Sequence, residues 1–382
     1  MKRYLHSQIL SDLENKMVFI TGPRQVGKTY LAKQIAENFS NPQYLNYDNI
    51  EDRRIINNLS WRYNADLLIF DETHKKKDWK LFLKGVYDSR PKNQHILVTG
   101  SARLETYRQS GESLAGRYLH LRLNPISIKE MGNDFQPYEI LEKLNEFGGF
   151  PEPFLFSLNN SVDKAHQFSS RWKNQYYTDL IREDIMDFGR IQEIRSMRLL
   201  LELLRTKVGS PLSYKAIAED LQLSPNTIKK YVSILEGLYI IFLVRPYHRN
   251  IARAILKEPK VYFYDTSFVK GNEGIKLENT VAVSLLKDVQ FRYDARGENV
   301  SLNYLKTKDN KEIDFVIISD NKPETFIEVK LSDRKLSNSI KYFSSRFNDA
   351  NFIQLVHNLP REETIKKINI LRAGDWLKNL NA

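Results

Sequence analysis

From Met17 to about Phe135, short runs of apolar and β-branched residues alternate with stretches in which apolar positions recur every three or four residues. This alternation predicts a parallel sheet with crossover helices. The strands are expected over 17–21, 43–46, 67–70, 95–99 and 118–123. From Pro137 to about Lys207 the period is helical throughout, with long helices over 165–187 and 191–206, which reads as an all-helical lid. Near Pro211 the pattern shortens to helix, turn, helix and apolar strand. Ser213 caps the first of these helices, and Ser224-Pro225 supplies the cap and first-turn proline of the second. From Val261 onward the pattern is mixed α/β again. The domains expected are therefore 1–135, 136–207, 208–255 and 256–382, with no Gly/Ser linker to hold them apart.

The first strand runs into Gly22-Pro23-Arg24-Gln25-Val26-Gly27-Lys28-Thr29, which opens a helical pattern from Tyr30. Two glycines let a backbone curl so that successive N–H groups point at the phosphates of a nucleoside triphosphate. Lys28 adds a point charge and the Thr29 hydroxyl ligates Mg²⁺. Residues 22–29 are thus expected to form a nucleoside-triphosphate-binding loop on a helix N-terminus.

Such a loop needs a second acidic strand end. Leu67-Leu68-Ile69-Phe70-Asp71-Glu72 delivers two carboxylates at the C-terminal edge of an apolar strand, where open α/β sheets bind ligands. Asp71 is expected to assist Mg²⁺ and Glu72 to polarise the lytic water as general base. The strand over 95–99 ends in Thr99-Gly100-Ser101, making Thr99 or Ser101 a candidate sensor of the γ-phosphate. Arg117 is a candidate cation for charge on the transferring phosphoryl group, in its own subunit or in a neighbour's within a homo-oligomer; the alternative is a surface ion pair.

The pattern of residues 22–29, Phe70-Asp71-Glu72, Thr99-Gly100-Ser101 and Leu114-Ala115-Gly116-Arg117-Tyr118 resembles the AAA+ ATPases of bacteria and archaea that carry a C-terminal domain of unknown function. Leu123-Asn124-Pro125-Ile126-Ser127, Gly148-Gly149-Phe150-Pro151-Glu152 and Glu328-Val329-Lys330 extend the resemblance over nearly the whole chain. It implies an ATP-hydrolysing switch. One departure is Thr73-His74, where an isoleucine and a glutamine are usual, and that glutamine is a sensor of bound nucleotide in such a site.

Two further constellations carry chemistry. The helix-turn-helix pattern around Gln222-Leu223, with a following strand and the basic stretch from Arg245 to Arg253 as a wing, reads as a winged-helix segment. Asn226, Lys229 and Lys230 would then face a DNA groove, the alternative being a packing module. The C-terminal set is Asp314 followed fourteen positions later by Glu328-Val329-Lys330, with Glu278 on an upstream helix as a third acid. If the two strands are neighbours, the acids could hold a second Mg²⁺ or Mn²⁺ and Lys330 could lie near the attacking water and scissile phosphate. The order of helix, strands, helix and strand resembles the restriction-endonuclease-like fold, the PD-(D/E)xK type. The resemblance implies a module that binds or cleaves DNA or RNA. A catalytically silent fold that recruits a protein partner is the other reading.

Composition bounds these readings. The 382 residues carry a net charge of +11, which favours a polyanionic partner, and no cysteine, which excludes disulfides, thiolate metal sites and a cysteine nucleophile. The N-terminus lacks a signal-peptide core, and no apolar run is long enough to cross a bilayer, so a cytoplasmic protein without membrane contact is expected.

Overall fold

The computed structural model describes residues 1–100, 114–180, 191–247, 257–332 and 335–382. They fall into two units, Met1–Asn124 with Gly237–Tyr239, and Pro125–Glu236 with Ile240–Ala382.

The first unit is built on five parallel strands: β1 (Met17–Thr21), β2 (Pro42–Asn46), β3 (Leu67–Asp71), β4 (His95–Thr99) and β5 (Tyr118–Arg122). They lie in the order β2-β3-β4-β1-β5. Every residue of β1 and β3 is buried, as a central parallel strand covered on both faces requires. Phe19, Leu68, Phe70, Trp79, Leu83 and Val98 pack on one face as a continuous core. Asn49 starts the helix Ile50–Asn58 by accepting from the N–H groups of Glu51 and Asp52. The five strands match those expected from the hydrophobic pattern to within one residue at each end.

The second unit contains the helices Pro137–Phe147, Pro151–Leu158, Val162–Asp179 and Ile191–Leu204, followed by the shorter pair Tyr214–Leu221 and Pro225–Gly237. The cap at Ser224 is present, its Oγ accepting from the Thr227 N–H at 3.1 Å. Asn226, Lys229 and Lys230 are exposed. The strand after this pair does not end a small separate module. It is β6 (Ile241–Pro246), which pairs antiparallel with β7 (Lys260–Phe263) and parallel with β8 (Val300–Lys306). With β9 (Glu312–Ser319), β10 (Lys322–Lys330), β11 (Asn351–Val356), β12 (Glu363–Ile365) and β13 (Ile368–Arg372) it forms an eight-stranded mixed sheet, in the order β12-β13-β11-β10-β9-β8-β6-β7. The wing expected over 245–253 lies mostly outside the described residues.

The helix Glu273–Arg296 packs against this sheet; it is capped by Asn272 and ended by Gly297 in the left-handed region. It also carries Lys287, whose buried ammonium meets the Glu130 carboxylate, the Ser127 hydroxyl at 2.9 Å and the Pro125 carbonyl at 3.1 Å. Among the described residues no helix is long and apolar enough to cross a membrane.

Gly148 ends the helix Pro137–Phe147 at φ 74°, and a Cβ there would lie 1.6 Å from Oδ1 of Asp265. Asp265 is buried and spends both oxygens on Ser267, accepting from its N–H and its hydroxyl. Gly148→Ala is therefore expected to destabilise the protein by at least about 2 kcal/mol, since strain and a displaced buried carboxylate add. Urea denaturation should show a lower midpoint with an unchanged slope.

Candidate functional site

The loop after β1 has the geometry that an anion cradle needs. Gly22 stands at φ 146°, and a Cβ on it would meet the Leu123 carbonyl oxygen at 2.2 Å, so only glycine lets the chain pass. Gln25 at φ 58° and Gly27 at φ 98° complete the curl. Gly27 is the N-cap of the helix Lys28–Ala36, and no side chain caps its first turn, which leaves that end to a ligand. Lys28 is buried and donates to the carbonyls of Gly22 at 3.0 Å and Pro23 at 2.6 Å. Its ammonium thus sits inside the loop on oxygen acceptors, the place and chemistry of a phosphate oxygen.

Asp71 ends β3 as a buried hub. Its Oδ2 accepts from the Thr29 hydroxyl at 2.8 Å and the Tyr44 phenol at 2.6 Å, and its Oδ1 from the Thr99 hydroxyl at 2.6 Å. Burial and the adjoining carboxylate push the Tyr44 phenol well above its ordinary range, so it stays a donor. Glu72 follows in the left-handed region at φ 55°, a conformation costly for a residue with a side chain, and its N–H is held by the Thr99 carbonyl at 3.1 Å. Burial first, and Asp71 second, raise its carboxyl above the usual range. His74 lies 3.5 Å and Lys75 3.8 Å from its Oε2.

The loop, Thr29, Asp71 and Glu72 are thus brought together. Ser101 lies outside the described residues. Thr99, its alternative, is turned onto Asp71. Arg117 stands apart: it precedes β5, whose Tyr118 pairs with Met17 at the start of β1, about 13 Å of extended strand from the loop. Its guanidinium grips Asp88 at 2.8 and 3.0 Å instead. Tyr44 and Arg3 were not legible as site residues. Arg3 is buried and braces the loop by donating to the Val26 carbonyl at 2.7 Å and the Asn124 carbonyl at 2.5 Å. Its position in the first residues of the chain offered no signal.

The C-terminal set also converges. β9 and β10 are antiparallel neighbours with Phe315 opposite Ile327, so the next step places Asp314 opposite Glu328. Oδ2 of Asp314 accepts from the Val329 N–H at 2.8 Å, and Lys330 pairs with Glu328 at 2.9 Å. Lys260 joins these residues, a member that the spacing of acids and lysine does not announce. This lysine, 1% exposed, opens β7 and places its ammonium 2.6 Å from Glu312, 3.6 Å from Glu278 and 3.9 Å from Asp314. A lysine heading the otherwise apolar run Val261-Tyr262-Phe263 was the available signal. Burial alone would lower its pKa, but Glu278, Asp314 and Glu312 outweigh that and hold it above the ordinary range. The Tyr262 hydroxyl donates to Glu278 at 2.7 Å. Glu278 and Glu328 are each pushed up to about 7, by burial first and then by Asp314.

These residues do not fit the second metal ion expected at this site. Hard divalent ions need several oxygens at about 2.0–2.6 Å from one centre. Among the described residues no three carboxylate or imidazole groups are so placed. A divalent ion about 4 Å from the Lys260 ammonium would also be opposed by about 8 kcal/mol at an effective dielectric of about 20.

Comparison with known proteins divides the chain into three segments. Residues 14–132 match a family model described as an AAA domain. Residues 138–277 and 273–373 match two families described as domains of unknown function, DUF8612 and DUF4143. Lys260 and Tyr262 fall in the first of these and Asp314, Glu328 and Lys330 in the second. An uncharacterised protein of Mycobacterium tuberculosis is 23% identical over 362 residues, covering 91% of this chain and 79% of that protein. Another, from Methanocaldococcus jannaschii, is 24% identical over 376 residues, covering 86% and 78%. Among solved structures, a Walker-type ATPase of Pyrococcus abyssi is 15% identical, with a TM-score of 0.49 over 72% of this chain and 95% of that one. The N-terminal segment, with its five-stranded parallel sheet, thus matches an AAA domain, and it is followed by segments that match two families described as domains of unknown function.

Proposed function

We propose that the chain is an ATP-hydrolysing switch in which residues 22–29, Asp71 and Glu72 form the working site. The observation that carries this reading is the meeting of Thr29 and Asp71 at 2.8 Å, with Glu72 as the next residue. The loop N–H groups and Lys28 hold the β- and γ-phosphates, Lys28 exchanging the carbonyls of Gly22 and Pro23 for phosphate oxygens. Mg²⁺, when bound, would offset phosphate charge, and the Thr29 hydroxyl and Asp71 are the residues that would hold it. Glu72 takes a proton from the attacking water as the new oxygen–phosphorus bond forms and the bond to the leaving ADP oxygen breaks. A carboxylate whose proton affinity is raised by burial suits that task at neutral pH. Arg117 lies at the far edge of its own sheet, so a role in phosphoryl transfer would be on a neighbouring subunit's nucleotide in a homo-oligomer.

The net charge of +11 belongs to the whole chain and favours a polyanionic partner such as nucleic acid, without placing it on the C-terminal segment. The second reading, a silent nuclease-like fold that recruits a protein partner under nucleotide control, is favoured by Lys260 within the carboxylate cluster.

Lys28→Ala is expected to abolish ATP turnover together with nucleotide affinity. Glu72→Gln should keep nucleotide binding while lowering kcat by about 10²- to 10⁴-fold. Steady-state phosphate release beside fluorescent-nucleotide binding separates the two effects, and undiminished hydrolysis in both variants would sink the assignment.

The pH profile offers an independent check. Glu72 must be ionised to act, and its pKa is raised, so kcat should fall with acidification at a pH above the usual carboxylate range. That limb should be missing from the residual activity of Glu72→Gln.

A further inference from the structure

We propose that Lys260 is the resident cation of the C-terminal carboxylate cluster, holding the position a divalent ion would take and making the cluster independent of Mg²⁺ and Mn²⁺. The inference stands whether or not residues 22–29 hydrolyse ATP.

Three features support it. First, the ammonium is central and closed off. It lies within 3.9 Å of three carboxylates, two from β9 and one from the helix Glu273–Arg296, on a side chain that is 1% exposed and tethered to β7. A solvent chelator cannot remove such a cation. Second, each carboxylate already has a partner. Glu312 takes Lys260 and Lys306, Glu278 takes the Tyr262 hydroxyl, Asp314 takes the Val329 N–H, and Glu328 takes Lys330. Among the described residues, one buried carboxylate oxygen of the set, Oε2 of Glu328, lacks a partner. Carboxylate oxygens gathered around a fixed ammonium do not make a divalent-ion site. Third, the charges nearly balance. Lys260, Lys306 and Lys330 face Glu278, Glu312, Asp314 and Glu328, three cations against four anions, so one proton neutralises the set where an added divalent ion would overcharge it. Space is also short beside Glu278, because Gly209 at φ 76° brings its backbone close enough that a Cβ would meet Oε1 at 2.8 Å.

Geometry therefore separates this cluster from a metal-dependent nuclease that shares its acid and lysine spacing. A test uses the nucleotide-free full-length protein and Mn²⁺, followed by electron paramagnetic resonance. Wild type and Asp314→Asn are expected to give superimposable Mn²⁺ titrations, since the cluster contributes no site. Lys260→Met, which keeps the volume and removes the charge, should gain a site at least tenfold tighter than any in the wild type, and adding Asp314→Asn should abolish the gain. Wild-type Mn²⁺ binding that disappears with Asp314→Asn would overturn the proposal. So would a folded Lys260→Met protein, checked by circular dichroism, that binds no more Mn²⁺ than wild type. If Lys260→Met does not fold, a second measurement decides. Incubation of wild type and Asp314→Asn with single- and double-stranded DNA and RNA plus Mn²⁺ should give no cleavage that depends on Asp314. Cleavage by the wild type that Asp314→Asn removes would refute the proposal.

Discussion

A buried charge has to be matched, because removing an ion from water costs several kcal/mol that only nearby partners offset. The working parts of this protein depend on that constraint. In the first unit the charge is Asp71, and its partners are three hydroxyls, from Thr29, Tyr44 and Thr99. Those hydroxyls come from the helix after the loop and from the two strands that flank β3. Their convergence fixes the strand ends from which the loop and Glu72 depart. Arg3 adds a brace on the other side by holding the Val26 carbonyl.

The second unit meets the same constraint with the signs reversed. Here the buried ion is the Lys260 ammonium and its partners are carboxylates. The solutions differ in what they leave available. Around Asp71 every donor to the carboxylate is a neutral hydroxyl, so no fixed cation is hydrogen-bonded to it. Around Lys260 the positive charge is built into the chain. Two clusters that read alike in sequence, as acids placed to hold a metal, are therefore chemically opposite. A second buried pair, Lys287 with Glu130, follows the same rule and anchors the segment 125–131 to the long helix Glu273–Arg296.

Much of the fold was legible because parallel strands buried on both faces must be apolar throughout. The runs Met17–Thr21, Leu67–Asp71 and His95–Thr99 announce themselves in this way. The loop was equally legible, since its glycines are demanded by backbone geometry, as the Gly22 approach to Leu123 shows. The short helix pair after Ser213 was also readable, from its caps. Its meaning was not, because β6 joins a large mixed sheet through pairing with residues some sixty positions later, and nothing local encodes that. Arg117 shows the same limit. Its place before a strand was clear from sequence, but which edge of the sheet that strand begins on depends on its register with β1.

What the sequence determined by itself is the chemistry available: a phosphate loop, a pair of carboxylates ending an apolar strand, and an acid, acid and lysine set spaced along two later strands. Local propensity and backbone sterics are enough for that, because each motif needs only its own few residues. What the tertiary structure alone decided is which charges share a site. Thr29 and Asp71 are 42 positions apart and Lys260 and Glu312 are 52 apart, yet each pair lies within hydrogen-bonding distance. Electrostatic matching acts through space and is indifferent to sequence separation, so the identity of a buried ion's partner is settled by strand order and register.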